Sequence, residues 1–194
     1  MTRSLALILL AVVALGAVSQ AVVAEAPIEG RTGRAEVRFM EGMIDHHQMA
    51  LDMAQECLSK ASSEAVLELC QNIIDAQTAE IETLQGWLLA WYNVEYTPVS
   101  MMEAMEAMDE MPMGDGPVTD PAGMMGMMAG LHRLEGEAYE TAFLEAMVDH
   151  HCAAIDMATR ILERAEHADL IEMANTIIED QTAEIEYIET LLAS

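Results

Sequence analysis

Two pairs of adjacent histidines are the residues of this chain best suited to chemistry. His46-His47 recurs as His150-His151, and each pair lies in a stretch whose apolar residues follow helical spacing. An imidazole removed from water needs partners for both nitrogens, and neutral imidazole is the commonest protein ligand of transition metals. We therefore expect the four histidines to bind a metal ion, with a hydrogen-bonded structural cluster as the alternative.

Methionines on the same helix face indicate which metal. Met43 and Met53 lie one and two turns from the first histidine pair, and Met147 and Met157 repeat both positions. Thioether is a soft ligand that prefers Cu(I) and, by the same argument, Ag(I). Taken alone, these four residues are better explained as core filler, because methionine packs irregular gaps well.

A second set of methionines lies between the histidine pairs, where residues 101–128 contain ten of them among glycines, prolines and acids. A core does not explain this composition. The first group would line one side of a short helix at about 100–111, and glycines would let the second group wrap around an ion. Soft-metal binding is favoured over a partner-binding surface, a sacrificial oxidation site or a low-complexity linker. The candidate ligands are Met102, Met105, Met108 and Met111, then Met124, Met125, Met127 and Met128.

An internal repeat organises the chain. Residues 39–84 align without a gap on residues 143–188, at an offset of 104, and about 21 of the 46 positions are identical. Stretches of 3.6-residue periodicity predict two helices in each copy, and no stretch alternates as a half-buried strand does. The fold is therefore expected to be all-α. The predicted helices span about 36–60, 63–91, 136–164 and 168–192, with Ser62 and Ser63 as candidate caps of the second.

The expected architecture is a ferritin-like four-helix bundle with approximate two-fold symmetry. Each helical hairpin has an apolar stripe that it cannot bury alone, so the two hairpins should pack together across a long Met-rich crossover. The expected segments are a signal peptide at 1–24, an extension at 25–35, a first hairpin at 36–92, the crossover at 93–135 and a second hairpin at 136–194.

In each hairpin, the second predicted helix contains two polar side chains of interest, a glutamine and a glutamate. Gln77 and Gln181 lie within the apolar stripes, and we expect the histidines of the preceding helix to be their partners. Glu80 and Glu184 lie one turn further on. For these two glutamates a solvated or salt-linked edge is favoured over metal ligation.

The three cysteines leave alternatives open. Cys57 and Cys70 face each other within the first hairpin and could form a disulfide, although their distances from the turn do not match well. Cys152 is an odd thiol on a polar helix face. It could be a metal ligand or form an intermolecular bridge.

Charge restricts the partners. The 194 residues include 34 Asp and Glu against 8 Lys and Arg, for a formal net charge of -26. Nucleic acid is excluded as a partner, because phosphate binding needs clustered Lys and Arg, whereas metal cations fit an acidic surface.

The N-terminus has the order of a secretory signal, with Arg3 followed by the apolar run 5–18 and then by Ala24. We therefore expect a periplasmic or secreted protein with no membrane span after cleavage.

The first copy also carries a specific motif, Phe-x-x-x-Met-Ile-Asp-His-His-Gln-x-Ala-x-x-Met-Ala, at residues 39–54. It is followed by Ile-Ile-x-x-Gln-x-x-Glu-Ile and by Trp-x-x-x-Trp at 87–91. This pattern resembles the family called domain of unknown function 305, with two tandem copies of its hairpin. The resemblance implies a ferritin-like bundle and metal handling outside the cytoplasm, because the family includes exported copper-binding proteins of the CopM type that are linked to copper and silver resistance. The motif residues are His46, His47, Met43 and Met53, repeated as His150, His151, Met147 and Met157.

These features predict a non-catalytic protein that sequesters or delivers copper or silver, with an exported or membrane copper-handling protein as a candidate partner. A ferritin-like metal-dependent oxidase is the first alternative. It is disfavoured because di-iron bundles use Glu-x-x-His, and no histidine here has a glutamate three residues before it. The second alternative is a structural or adaptor bundle that docks a partner through its Met-rich segment.

Overall fold

Four long helices form the protein in its computed structural model, which describes residues 26–98, 100 and 130–194. No strand occurs in these described residues, so the all-α prediction is confirmed. The first helix starts earlier than the expected position near residue 36. The helices are α1 (Gly30–Lys60), α2 (Glu64–Tyr92), α3 (Gly136–Leu162) and α4 (Ala168–Leu192).

The helices pair as two hairpins that join through their first helices. α1 packs on α2, α3 packs on α4, and α1 packs on α3 between the hairpins. The helical piece expected near 100–111 and the methionines of 101–128 lie outside the described residues. In the described part, no helix is long and apolar enough to cross a bilayer.

A disulfide closes the first hairpin. Cys57 of α1 and Cys70 of α2 are bonded, with their Cα atoms 6.3 Å apart. Although the two positions are at unequal distances from the turn, this separation lies within the range that a disulfide spans. Cys152 is an exposed free thiol, as expected for a residue on the polar face.

The core consists of two apolar clusters, one toward each end of the bundle. All four helices contribute to both clusters. Between them, in the middle of every helix, lie the histidine pairs, the two glutamines and the two glutamates identified from the sequence. We call these eight residues the polar layer: His46, His47, Gln77, Glu80, His150, His151, Gln181 and Glu184.

Two equivalent glutamates tie each hairpin to the other. Glu140 of α3 accepts hydrogen bonds from the backbone N–H groups of Ser62 (2.6 Å) and Ser63 (3.0 Å), immediately before α2. Glu36 of α1 accepts from the N–H groups of Glu166 (2.7 Å) and His167 (3.2 Å), immediately before α4. Each carboxylate thus satisfies free N–H groups at a helix N-terminus and faces the positive end of the helix dipole.

These contacts correct one expectation. Ser63 occupies the position that precedes α2, but its side chain makes no capping hydrogen bond. The hydroxyl of Ser62 instead donates to Glu140 at 3.0 Å. The cap of α2 therefore comes from the other hairpin, so local sequence alone could not reveal it.

Glu36 is the more enclosed of the two glutamates. Its side chain has no exposed surface, and it also accepts from the hydroxyl of Tyr92 and from Nδ1–H of His167, each at 2.5 Å. Burial raises the pKa of Glu36, but these hydrogen bonds together outweigh burial and hold it below its ordinary value. The ring of Trp91 stacks on His167 at a centroid distance of 4.0 Å and covers the cluster.

We expect Glu140→Gln to destabilise the protein by about 1 kcal/mol at neutral pH, because it weakens charge-assisted bonds to the α2 N-terminus. The N–H of Ser62 is the main reason that the pKa of Glu140 lies below its ordinary value of 4.5. A carboxylate with a lowered folded pKa contributes stability that is lost as pH falls below its unfolded pKa. The wild type should therefore lose more stability than the variant on acidification below about 4.5.

Urea unfolding of both proteins at neutral and acidic pH measures this difference. Glu145→Gln is the matched control, because Glu145 is exposed on the same helix. Equal pH dependence of the wild type and Glu140→Gln would contradict the assignment.

Candidate metal centre

The two hairpins meet at the histidines. The rings of His46 in α1 and His150 in α3 overlap, with centroids 3.7 Å apart and planes inclined by 36°. Nε2–H of His150 also donates to the backbone carbonyl of His46 at 3.0 Å. Because the two residues are equivalent in the repeat, their contact marks the approximate two-fold axis. The structure therefore brings the two predicted histidine pairs together.

The outer histidine of each pair is held by a glutamate from the second helix of its own hairpin. Nε2 of His47 lies 2.6 Å from Oε2 of Glu80, and Nε2 of His151 lies 2.7 Å from Oε2 of Glu184. Both imidazoles are completely buried. The two glutamates thus contact the histidines, at hydrogen-bond distance, from the edge of the stripe where the sequence placed them. A carboxylate at this distance fixes the ring orientation and favours the tautomer with hydrogen on Nε2.

The glutamines do not have the expected role. Gln77 and Gln181 are both buried, but neither forms a hydrogen bond to a histidine in the described part of the chain. Both amide atoms of Gln77 and Oε1 of Gln181 have no partner among those residues. The histidine contacts come from the glutamates three residues later, which face the imidazoles from one turn further along the helix.

The four histidines share one unsatisfied atom. Nδ1 of His46, His47, His150 and His151 is buried and has no hydrogen-bond partner among the described residues. In a neutral imidazole whose Nε2 carries the hydrogen, Nδ1 has a free lone pair. Leaving a buried polar atom unsatisfied costs about 1–3 kcal/mol, so four together call for an explanation. Metal binding through Nδ1 would give such an atom a partner.

Electrostatics keep the stacked histidines neutral. Burial, followed by the nearby His47 and His151, lowers the pKa of His46 to about 3. Burial, followed by His46 and His151, holds the pKa of His150 well below its ordinary range. Four imidazoles this close together cannot all carry a proton without strong repulsion. At neutral pH these two rings are therefore in the form that binds metals.

Negative charge surrounds one side of the polar layer. The pKa of Asp180 in α4 is raised, first by burial and then by the charges of Glu80, Glu179 and Glu184. This carboxylate is thus close to the glutamates that hold both outer histidines. Such a concentration of acids attracts cations into the layer.

The candidate thioethers lie on both sides of the polar layer. Met43 and Met157 pack in one apolar cluster, and Met53 and Met147 pack in the other. A Cβ atom on Gly42 would lie 3.4 Å from Cε of Met157, so this methionine of α3 reaches α1 next to Met43. All but Met157 are fully buried. The structure therefore places two of these side chains in each of the apolar clusters on the two sides of the polar layer.

The described residues contain no group of three or more His, Cys, Asp and Glu side chains arranged to hold a metal ion. A metal in the polar layer would therefore need thioether sulfur or a rotation of the histidine rings. Soft ions with low coordination numbers, such as Cu(I) and Ag(I), fit a set of imidazole and thioether ligands.

Comparison with known families identifies the chain. The profile described as "Domain of unknown function (DUF305)" matches residues 36–192, which span both hairpins and the connection between them. The chain belongs to the DUF305 family. The sequence resemblance is thereby confirmed, although no curated protein matches this DUF305 chain.

Several solved structures have the same fold as this chain. CopM in its Cu(II)-bound form is 30% identical, with a TM-score of 0.62 over 81% of this chain and 95% of that chain. CopM in a silver-bound form obtained by co-crystallisation is 25% identical, with a TM-score of 0.58 over 80% and 93%. A candidate secreted DUF305 protein from Streptomyces coelicolor is 28% identical, with a TM-score of 0.63 over 82% and 92%. These similarities confirm the helical-bundle prediction.

We expect His47 and His151 in the metal-free protein to carry hydrogen on Nε2 and none on Nδ1, because Glu80 and Glu184 face Nε2. Long-range proton–nitrogen NMR correlations of a nitrogen-15-labelled sample distinguish the two tautomers. His132 is the internal reference, because its ring is exposed and its Nδ1 instead faces Glu56 at 2.9 Å. Hydrogen on Nδ1 of His47 or His151 would contradict this assignment, because the free lone pair would then be on Nε2.

Proposed function

We propose that this DUF305 protein binds copper in its polar layer and sequesters or delivers it outside the cytoplasm. One observation carries the proposal: four imidazoles lie together between two apolar clusters, each with a buried Nδ1 that no described residue satisfies. Leaving these Nδ1 atoms without partners costs free energy, and a bound metal ion would remove that cost and stabilise the fold. Imidazole nitrogens next to thioether sulfurs favour copper over harder metals.

The likeness to CopM supports the choice of metal. That protein has been crystallised with Cu(II) and with silver, and the present chain covers nearly all of its length. The proposed ligands in this chain are the four histidines through Nδ1, together with the methionines of the adjacent layers, Met43, Met53, Met147 and Met157. Glu80 and Glu184 would orient the outer histidines rather than contact the ion.

The Met-rich connector would bind further Cu(I) or Ag(I). Its candidate ligands, the eight methionines given above for residues 102–128, lie outside the described residues, so this part of the proposal rests on composition. The export signal predicted at 1–24 and the likeness to a candidate secreted relative support a location outside the cytoplasm. None of these roles requires catalysis.

Replacing His46, His47, His150 and His151 with Ala should abolish copper binding in the bundle and leave weaker Cu(I) binding in residues 101–128. Deleting the connector should instead remove the Cu(I) binding of residues 101–128 and leave copper binding in the bundle. Metal analysis by mass spectrometry and competition titration with a Cu(I) chelator measure both variants. Circular dichroism shows whether the four-fold variant, which loses much buried volume, still folds. The single variant His46→Leu removes one proposed ligand with a smaller loss of volume.

Several outcomes would contradict this assignment. If both variants bind copper as the parent does, the proposed ligands are wrong. Two iron ions retained per chain would favour the oxidase, whose chemistry needs such a pair. Failure of the parent to retain any metal, with only weak Cu(I) binding, would favour a structural bundle.

Glu80→Gln combined with Glu184→Gln should weaken copper affinity by about 10–100-fold, because the outer histidines lose the carboxylates that orient them. The matched control is Glu82→Gln with Glu186→Gln, which removes the same charge from exposed positions two residues later. The same chelator titration compares the two double variants. Equal losses would mean that the glutamates act only through overall charge.

A further inference from the structure

Basic side chains collect at one end of a strongly acidic molecule. The formal net charge is -26, and the chain has only eight Lys and Arg residues. Five of the eight lie near the start of α1 or at the end of α3. They are Arg31, Arg34, Arg38, Arg160 and Arg164.

Four of these arginines line a groove between α1 and the end of α3, which we call the arginine groove. It consists of two adjoining depressions of about 540 and 580 Å³ that share Glu163 and Arg164. The larger depression adds Arg31, and the other adds Arg38 and Arg160. The depression with Arg38 and Arg160 has an apolar floor, formed by Ala35, Phe39, Met157 and Ile161.

Most of this positive charge is available to a ligand. Arg31, Arg38 and Arg164 are exposed, and no carboxylate in the described part of the chain pairs with them. Arg160 forms an ion pair with Asp156 on the same helix. The acids that line the groove are Glu163 and Glu166, so its arginines outnumber its glutamates by four to two.

We propose that the arginine groove binds an acidic peptide segment with apolar side chains, presented by another protein. Guanidinium groups pair with carboxylates in a planar, two-pronged geometry, and an apolar floor provides the burial that anchors a bound segment. From Arg31 to Phe39, α1 runs about 12 Å, which equals about four residues of extended peptide. Two joined depressions therefore fit a segment of chain better than one small anion.

Charge complementarity also selects a peptide over a membrane. A flat anionic bilayer would also meet the acids of the rest of the surface, which would repel it. A narrow segment can enter the groove without approaching them. Because Met157 also belongs to the proposed metal centre, a bound partner would lie beside that centre. Docking itself requires no metal and is independent of the proposed function.

A labelled peptide that alternates Glu with Met and Leu tests the proposal with metal-free, full-length protein. Fluorescence anisotropy should show saturable binding that weakens strongly between about 0.05 M and 0.5 M salt. Arg38→Glu combined with Arg164→Glu should weaken binding by more than about tenfold. The control is Arg133→Glu, an exposed arginine outside the groove, which should change affinity less than about twofold.

Four results would overturn the proposal. The first is no binding by the wild type, and the second is an equal loss in Arg133→Glu, which would indicate overall charge alone. The third is preference for phosphatidylglycerol vesicles over the peptide. The fourth is self-association of the wild type that the double variant abolishes, since the groove would then hold a second copy of the chain. Circular dichroism of both variants shows whether the bundle remains folded.

Discussion

The enclosure of four imidazoles, three of them buried, between two apolar clusters is the constraint on which this structure depends. Neither hairpin can shield its histidine pair alone, because His46 and His150 are covered by each other across the hairpin interface. The interior that results lowers the pKa values of His46 and His150, and no described residue gives a partner to Nδ1 of any of the four rings. The bundle thus tolerates a local cost that a fully apolar core would avoid, which is typical of a site built to bind.

The rest of the polar layer removes only part of the free-energy cost of leaving imidazole nitrogens without partners. Glu80 and Glu184 satisfy one nitrogen of each outer histidine and leave the other. The thioethers on either side add polarisable atoms without adding charge. This combination gives nitrogen and sulfur donors inside the bundle and places carboxylates around them. Cations are drawn toward the layer, while the donors within it suit a soft ion.

Much of the fold could be predicted from the sequence, because it depends on periodicity within each helix. The repeat also correctly predicted that the histidine pairs meet, since equivalent positions converge on a two-fold axis. The contacts between Glu80 and His47 and between Glu184 and His151 were less evident from the sequence. A glutamate at the edge of an apolar stripe has the same spacing whether it contacts a buried side chain or faces solvent. The caps by Glu36 and Glu140 depend on the packing of separate hairpins, and no local motif indicates them. Whether Cys57 and Cys70 can bond depends on how far α1 and α2 are shifted along each other, and the spacing of the cysteines from the turn did not give that shift.

The reciprocal caps have an implication for the origin of this architecture. Each hairpin supplies one glutamate to the other and receives one in return, and the central histidine contact joins equivalent residues. Every contact of this kind obeys the rule of an isologous interface, in which one surface meets a copy of itself. A single hairpin with the same residues could therefore make all of them as a symmetric homodimer. Joining two such hairpins in one chain removes the dependence of the buried histidine layer on protein concentration and allows its two halves to diverge.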